Sequence, residues 1–369
     1  MMDLETILAK ALAAPRNLSV PELVRLVSLT AADEIEKVRA AAYALKCRFC
    51  GKTVALRGIV ELGNVCAKDC YYCGIRKSNT NLTRYQLAIE DVVRMAQVDA
   101  DMGYASLVLQ GGEIESAAQT AFIEQCLQRI RPLNLGVTLS LGEQTEEVYR
   151  RWFAAGAERY LLRIETSNPE LYAKLHPASH SWERRVDCLR ALRRCGYQVG
   201  TGVMSALPGQ TAEDLAHDIV FFGEMDVDMI GMGPYIPHPD TPLASVGSAL
   251  SSEERLRLGL NMIATTRLYL HDVNIAATTA LQALAHDGRE QGICAGANVM
   301  MPNVTDVAYR RSYQLYAGKP CLDENAGMCR HCLEQRLAAI GETINYGQRG
   351  DSAHFYKRTR FQNEQGGNE

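Results

Sequence analysis

Eight short apolar runs alternate with longer amphipathic stretches, and this rhythm constrains the chain more than any other feature. The runs span 54–62, 106–109, 136–141, 159–164, 198–206, 229–232, 274–277 and 298–301. Helical periodicity fills most of the gaps, as at 89–102, 145–155, 181–194, 211–224 and 252–269. Crossovers of that length join parallel strands, not hairpins. Such βα units predict an α/β fold closed as a (β/α)8 barrel of the TIM type. The helix between the last two runs is poorly marked. Ahead of the barrel, Leu4, Ile7, Leu8 and Leu12 lie near helical spacing, and Pro21 suits a first helical turn. A second periodic run at 33–46 is ended by Gly51. The expected organisation is a helical cap over 1–50, the barrel over 51–305, and a barrel-closing segment over 306–369. The polar tail beyond Asp351 is expected to be mobile.

In barrels of this kind the chemistry sits at the C-terminal ends of the strands. Here a polar or glycine-rich cluster follows nearly every run. These are Cys66 to Cys73, Gln110-Gly111-Gly112-Glu113, Gly142-Glu143, Glu165-Thr166, Leu207-Pro208-Gly209, the stretch 234–243, Thr278-Thr279 and Pro302-Asn303. Their repeated placement points to one shared pocket. A net charge of −4 offers no overall basic field for nucleic acid. The longest stretch without Asp, Glu, Lys or Arg, 195–212, is interrupted by glycines and Pro208, so no membrane span is expected. The first residues lack the basic and apolar regions of a signal peptide, which makes the cytosol the expected compartment.

In that reducing compartment, twelve cysteines argue for metal or redox chemistry over a disulfide framework. Cys66, Cys70 and Cys73 have the spacing C-x3-C-x2-C, with Tyr72 before the last. Three thiolates can hold three irons of a [4Fe–4S] cube and leave the fourth open to a substrate or cofactor. The competing reading is a zinc knuckle, which needs a fourth Cys or His at regular spacing. Cys321, Cys329 and Cys332 form a second group, C-x7-C-x2-C, with His331 as a spare ligand. Cys47 and Cys50 read as a chance pair at a helix end, and Cys126, Cys188, Cys195 and Cys294 as core or helix residues. His238, among prolines, reads as a packed loop residue. Glu143, Arg163, Glu165 and Arg185 are charges at or beside apolar runs. Buried charges must be paired or bind a ligand. The plain alternative is a salt-bridge set inside the barrel, and for the Gly111-Gly112 segment a simple βα turn.

A C-x3-C-x-aromatic-C motif after the first strand of a barrel resembles that of the radical S-adenosylmethionine (radical SAM) enzymes. The resemblance implies that the open iron chelates the amino and carboxylate groups of SAM. An electron from the reduced cluster then cleaves the sulfonium, giving methionine and a 5′-deoxyadenosyl radical. Longer runs resemble the HydE family of [FeFe]-hydrogenase maturases. They include Leu56 to Glu61, Cys73 to Arg76, Thr138 to Glu143, Arg159 to Thr166, Leu207 to Gln210, Gly233 to Leu243, Ala277 to Ala280 and Gly296 to Asn303. HydE sequences more often carry Ser-Gly-Glu where this chain has Gly111-Gly112-Glu113.

The resemblance implies cofactor binding by Tyr72, Gln110, Gly111, Gly112, Glu113, Glu143, Glu165, Arg185, Met204 and Ile236. It implies a catalytic cavity lined by Arg57, Arg163, Thr278, Thr279 and Tyr316, with Tyr313 close by. A carboxylate-bearing substrate, organometallic or amino-acid-derived, suits such arginine forks. An accessory [2Fe–2S] or [4Fe–4S] cluster is implied at Cys321, Cys329 and Cys332. The implied role is assembly of the hydrogenase diiron site from an iron–cysteine precursor. The implied partners are a reductant such as ferredoxin or flavodoxin, a tyrosine-cleaving maturase and a GTPase scaffold. Rival readings are a methylornithine synthase-like mutase, the more distant biotin synthase, a non-catalytic iron–sulfur carrier and a zinc-binding structural protein.

Overall fold

The computed structural model describes residues 3–247, 249–323 and 326–366, without the side chains of 326, 328, 329 and 361–366. Helices α1 (Leu4–Ala13), α2 (Val20–Val27) and α3 (Ala32–Cys50) come first. The first half of the barrel runs β1 (Thr53–Leu56), β2 (Gly58–Gly63), α4 (Ile89–Asp101), β3 (Ser106–Gly111), α5 (Ala117–Ile130), β4 (Gly136–Ser140), α6 (Glu146–Ala155) and β5 (Ala157–Leu161). Then come α7 (Pro169–Leu175), α8 (Trp182–Arg194), β6 (Gln198–Thr201), β7 (Met204–Ser205), α9 (Ala212–Glu224), β8 (Met229–Ile230) and β9 (Gly233–Pro234). The ring ends with α10 (Ser252–Leu270), β10 (Asn274–Ile275), α11 (Thr279–Leu284), α12 (Gly288–Cys294) and β11 (Val299–Met300). Beyond it lie α13 (Val307–Arg310), α14 (Ala326–Ala339), β12 (Thr343–Ile344) and α15 (Ala353–Gly366).

Seven strands form one parallel sheet in the order β10-β8-β6-β5-β4-β3-β2. The sheet curls until β11 bridges its edges. Asn298 N donates to Ile275 O at 2.9 Å on the β10 side, and just past β11 Pro302 O accepts from Ile59 N of β2 at 2.8 Å on the other. The ring is the parallel barrel predicted from the eight runs. Strands covered on both faces explain the near-continuous apolar runs, as at Leu107, Val108 and Leu109, all buried.

Two runs expected as single strands are each divided. The run at 54–62 breaks at Arg57: β1 pairs with β11 and β12, while β2 pairs with β3. The run at 198–206 breaks at Gly202, where the backbone passes so close to Gly231 that a Cβ would stand 1.9 Å from its carbonyl oxygen. Past that break, β7 pairs with β9 as a separate short layer above the barrel.

The tail beyond Asp351 also departs from expectation, because it is ordered as α15. His354 lies between Asp226 (Nε2 to Oδ1, 2.9 Å) and Asp272 (Nδ1 to Oδ1, 3.3 Å). Lys357 meets Asp272 at 2.6 Å and Arg358 meets Asp228 at 2.7 Å. These partners are far away in sequence, so local polarity misreads the tail. The residues just before α15 seal the N-terminal end of the barrel. Ser106 Oγ donates to Arg349 O at 2.6 Å, Arg57 NH2 to Gly350 O at 3.0 Å, and Gln198 Nε2 to Asp351 Oδ1 at 2.8 Å. The N-terminal helices pack on the outer flank, α2 on α9 and α3 on α10. Among the described residues, no helix is long and apolar enough to cross a membrane.

Candidate functional site

The loop between β2 and α4 carries Cys66, Cys70 and Cys73 and is held by polar groups. Arg84 donates to the carbonyls of Asn64, Ile75 (2.8 Å), Arg76 (2.6 Å) and Asn79 (2.9 Å), a fork suited to several acceptors at once. Asp69 accepts from Ser78 N at 3.0 Å, Ser78 Oγ at 2.7 Å and Arg76 NH2 at 2.8 Å. Two backbone hydrogen bonds lay the loop on its neighbours: Ala67 N donates to Glu113 O at 2.8 Å and Tyr71 N to Leu175 O at 2.9 Å.

The three thiols gather at the C-terminal mouth of the barrel. Glu113 N donates to Cys66 Sγ at 3.4 Å, and His180 Nδ1 stands 4.0 Å from Cys70 Sγ. Burial pushes all three thiols up, Cys70 to about 12. The negative charges of neighbouring thiolates add to the rise at Cys70 and Cys73. Thiols so placed resist ionising alone and give up their protons to a bound cationic centre. The soft donors, the burial and the absence of a fourth thiol in the loop therefore fit a [4Fe–4S] cluster with one open iron.

The structure also brings His176 and His180 to Cys70, with one ligand atom from each within 4.8 Å of the others. No local spacing signals this meeting, and a Cys-His-His group revives the zinc reading. The hydrogen bonds oppose it. His176 Nδ1 lies 2.9 Å from Tyr172 O, a carbonyl that only accepts, so Nδ1 carries the proton and Nε2 accepts from Tyr72 OH at 3.3 Å. His180 Nε2 accepts from Asp69 N at 3.5 Å, so its other nitrogen turns a proton, not a lone pair, toward Cys70.

Beside the thiols lies a buried cage of charge. Lys68 Nζ bridges Glu113 (3.0 Å) and Glu143 (2.9 Å). Arg185 Nε meets Glu143 at 3.0 Å, its NH2 meets Glu113 at 3.4 Å, and Arg184 Nε meets Glu143 at 3.2 Å. Burial raises Glu113. Burial also pushes Glu143 upward, but Arg185, Lys68 and Arg184 outweigh it and hold the carboxyl below its ordinary range. The helix α8 delivers both arginines from its first turn, begun by Ser181 Oγ accepting from Arg184 N at 3.1 Å.

Glycine at 112 is a steric requirement, since a Cβ there would stand 2.1 Å from Val65 O and 2.9 Å from Cys66 Cβ. Gly111 differs, because a Cβ would meet nothing closer than 3.5 Å. Gln110 Nε2 donates to Tyr313 OH at 3.2 Å. Glu165 adopts φ of +67°, a left-handed conformation that costs a non-glycine residue about 1–3 kcal/mol and recurs at working sites. It pairs with Arg163 at 2.9 Å. Met204, Tyr71 and Tyr72 belong to a small apolar cluster with Leu171, Leu175, Leu207, Tyr235 and Leu243. Ile236 follows Tyr235 and is half-buried.

Thr279 Oγ1 and Tyr316 OH are 2.6 Å apart, and Thr278 Oγ1 donates to Met232 O at 3.2 Å. Burial pushes Tyr316 up to about 12, so its hydroxyl stays protonated at neutral pH. Arg57 sits apart from this group. It lines a small cavity lower in the barrel with Leu161, Met229 and Met301. There burial draws its pKa down to about 9. Of the second cysteine group, Cys321 is partly buried and Cys332 is exposed on α14, whereas the Cys329 side chain lies outside the described residues. Lys68, Tyr172, His176 and His180 were missed from the sequence. Only Lys68, inside the cysteine motif, carried a local signal.

The family model described as the Radical SAM superfamily matches residues 60–222. The [FeFe] hydrogenase maturase subunit HydE of Thermotoga maritima is 44% identical over 294 residues, which are 80% of this chain and 82% of that protein. A biotin synthase from Corynebacterium urealyticum is 26% identical over 304 residues, 81% of this chain and 87% of its own. Methylornithine synthase (PylB) superposes with a TM-score of 0.79 at 22% identity, covering 92% of this chain and 97% of that one. The FeFe-hydrogenase maturase HydG from Carboxydothermus hydrogenoformans gives 0.80 at 20% identity, covering 95% and 81%. At such identities the two structures speak for the fold alone. The sequence relationship goes further: the chain belongs to the HydE family of [FeFe]-hydrogenase maturases, radical SAM enzymes that use a [4Fe–4S] cluster and S-adenosylmethionine.

Proposed function

We propose that the cluster is held by Cys66, Cys70 and Cys73, and that the enzyme acts on an iron–cysteine precursor of the hydrogenase diiron site. The observation that carries this reading is the placement of three partly buried thiols against the Glu113–Glu143–Arg185 cage, on a mouth that also holds Arg163 and Thr279. When bound, the cluster and SAM supply a 5′-deoxyadenosyl radical.

The chain's own residues bind and orient. Glu113 and the carbonyls around Gly112 offer acceptors to the ammonium of SAM, and Arg185 offers donors to its carboxylate. Glu143 holds Arg185 in place from below. Tyr72, Met204 and Ile236 give the adenosyl part an apolar wall that excludes water. Gln110 and Glu165 complete the cofactor side. Arg163 presents a guanidinium to the substrate carboxylate, and Thr278, Thr279 and Tyr316 present hydroxyls beside it. Arg57, buried in the lower cavity, is a cationic donor that holds the Gly350 carbonyl and supports the barrel beneath the site. An accessory cluster at Cys321, Cys329 and Cys332, reduction by a ferredoxin or flavodoxin, and exchange of intermediates with a tyrosine-cleaving maturase and a GTPase scaffold complete the proposal. Free thiols in this number fit a cytoplasmic setting.

The test is EPR of the anaerobically reconstituted, dithionite-reduced protein with and without SAM. A reduced [4Fe–4S] signal that changes on adding SAM, and that Cys66→Ala abolishes, supports the reading. A signal indifferent to SAM overturns it.

A further inference from the structure

The three thiols of the first loop are not solvated alike. Cys66 Sγ accepts from the peptide N–H groups of Glu113 (3.4 Å) and Lys68, and Cys73 from that of Ile75. No peptide donor reaches Cys70 among the described residues. Its place is taken by the His180 ring, with Nδ1 4.0 Å from the sulfur. The direction of that contact is set from behind. Asp69 N donates to Nε2 at 3.5 Å, which leaves the ring proton on Nδ1, facing Cys70. The ring is braced as well, lying 5.4 Å from the His176 ring, which in turn stacks on Tyr172 at 3.9 Å. The Tyr72 hydroxyl also hydrogen-bonds toward Cys70, but it has one proton to give and shares it with the bare Nε2 of His176 at 3.3 Å.

We propose that His180 donates its Nδ1–H to the Cys70 thiolate and thereby raises the reduction potential of the cluster, making it a positioning residue for reductive cleavage of SAM. The inference rests on the cluster assignment proposed above. Hydrogen bonds to cluster sulfurs withdraw electron density and favour the reduced form. At Cys66 and Cys73 the donors belong to the backbone, which mutation leaves in place. At Cys70 the donor is a side chain, so this one bond can be removed.

The experiment is an EPR-monitored redox titration of the full-length reconstituted enzyme and of His180→Ala, His180→Gln and Tyr72→Phe. His180→Ala is expected to lower the midpoint potential while iron, sulfide and the SAM-induced signal change are retained. His180→Gln keeps an N–H donor and is expected to recover part of the loss. Tyr72→Phe, which removes a hydroxyl shared with His176, is expected to lower the midpoint less than His180→Ala does. An unchanged midpoint in His180→Ala overturns the proposal, as does a fall confined to Tyr72→Phe. Loss of the cluster from both His180 variants overturns it in favour of a role in assembly. Strong nitrogen coupling to the cluster in the parent, the mark of direct ligation, overturns it too. If the parent itself shows no SAM-responsive cluster, the cluster assignment fails instead, a distinguishable result.

Discussion

Two segments of this chain each carry three cysteines, and they are built differently. In the first, Arg84 ties four carbonyls, Asp69 ties Ser78 and Arg76, and backbone hydrogen bonds fasten the loop to Glu113 and Leu175. Its thiols are partly buried, beside paired charges. In the second, Cys321 takes φ of +60° with its carbonyl accepting from Arg310 at 2.9 Å, while Cys332 stands exposed on α14. That helix is fixed by Leu333 and Leu337 on its other side. A centre that must aim a reactive group needs its ligands positioned before anything binds, because misplacement of about 1 Å can cost a hundredfold in rate. A centre that only passes electrons or shelters iron carries no such demand. The difference in construction therefore marks the first segment as the one built to position a reactive group.

The largest effect that would break this comparison is ligand removal. Cys70→Ala is expected to abolish 5′-deoxyadenosine formation, and Cys332→Ala to leave it within about twofold. Both are read by chromatography of the products after anaerobic turnover. Equal losses would mean that the second segment shares the chemistry. Next comes the loop's brace. Arg84→Ala orphans several carbonyls and removes charge-assisted bonds, and about 4 kcal/mol of stability is expected to go in urea unfolding. Its counterpart, Arg311→Ala, removes an ion pair with Asp323 in which both side chains are about two-thirds exposed (67% and 70%), so no measurable change is expected.

The barrel was legible in the sequence because its signal is local: each strand buried on both faces is a short apolar run. The charges at Glu113, Glu143 and Arg185 were legible for the related reason that charge beside an apolar run demands a partner. Lys68 meeting Glu143, and His180 meeting Cys70, were not legible, because each pairing closes over a separation of 75 or 110 residues. The order of α15 was hidden in the same way. Its polar residues look like a solvated tail until Asp226, Asp228 and Asp272 are brought beneath them.

That clamp gives the comparison a pH handle. Burial alone would lower His354, but Asp226 and Asp272 overcome it and raise the pKa to about 9, against an ordinary 6.5. A raised folded-state value contributes stability that is full below about pH 6.5 and is lost as pH climbs through about 9. The shift corresponds to at most about 3 kcal/mol. Limited proteolysis across that range is expected to open the C-terminal region while residues 64–84 stay protected, and His354→Gln should flatten the dependence. Opening of the cysteine loop in step with α15 would show that the two regions form one cooperative unit.

The finest comparison is between neighbours. Gly112→Ala drives a methyl group to 2.1 Å from Val65 O, so the strand end or the cysteine loop must move, and about 2 kcal/mol is the expected cost. Displacement of Val65 is passed directly to Cys66, so cluster content after reconstitution should fall along with stability. Gly111→Ser meets only ordinary contacts at 3.5 Å and beyond, and unfolding should move by no more than about 0.5 kcal/mol. Its informative readout is SAM affinity by calorimetry. A gain would mean that a hydroxyl at this turn reaches the bound cofactor and that this chain works without that contact. No change would assign recognition to the backbone and Glu113 alone. A loss would mean that the turn tightens around its ligand beyond what the present geometry requires.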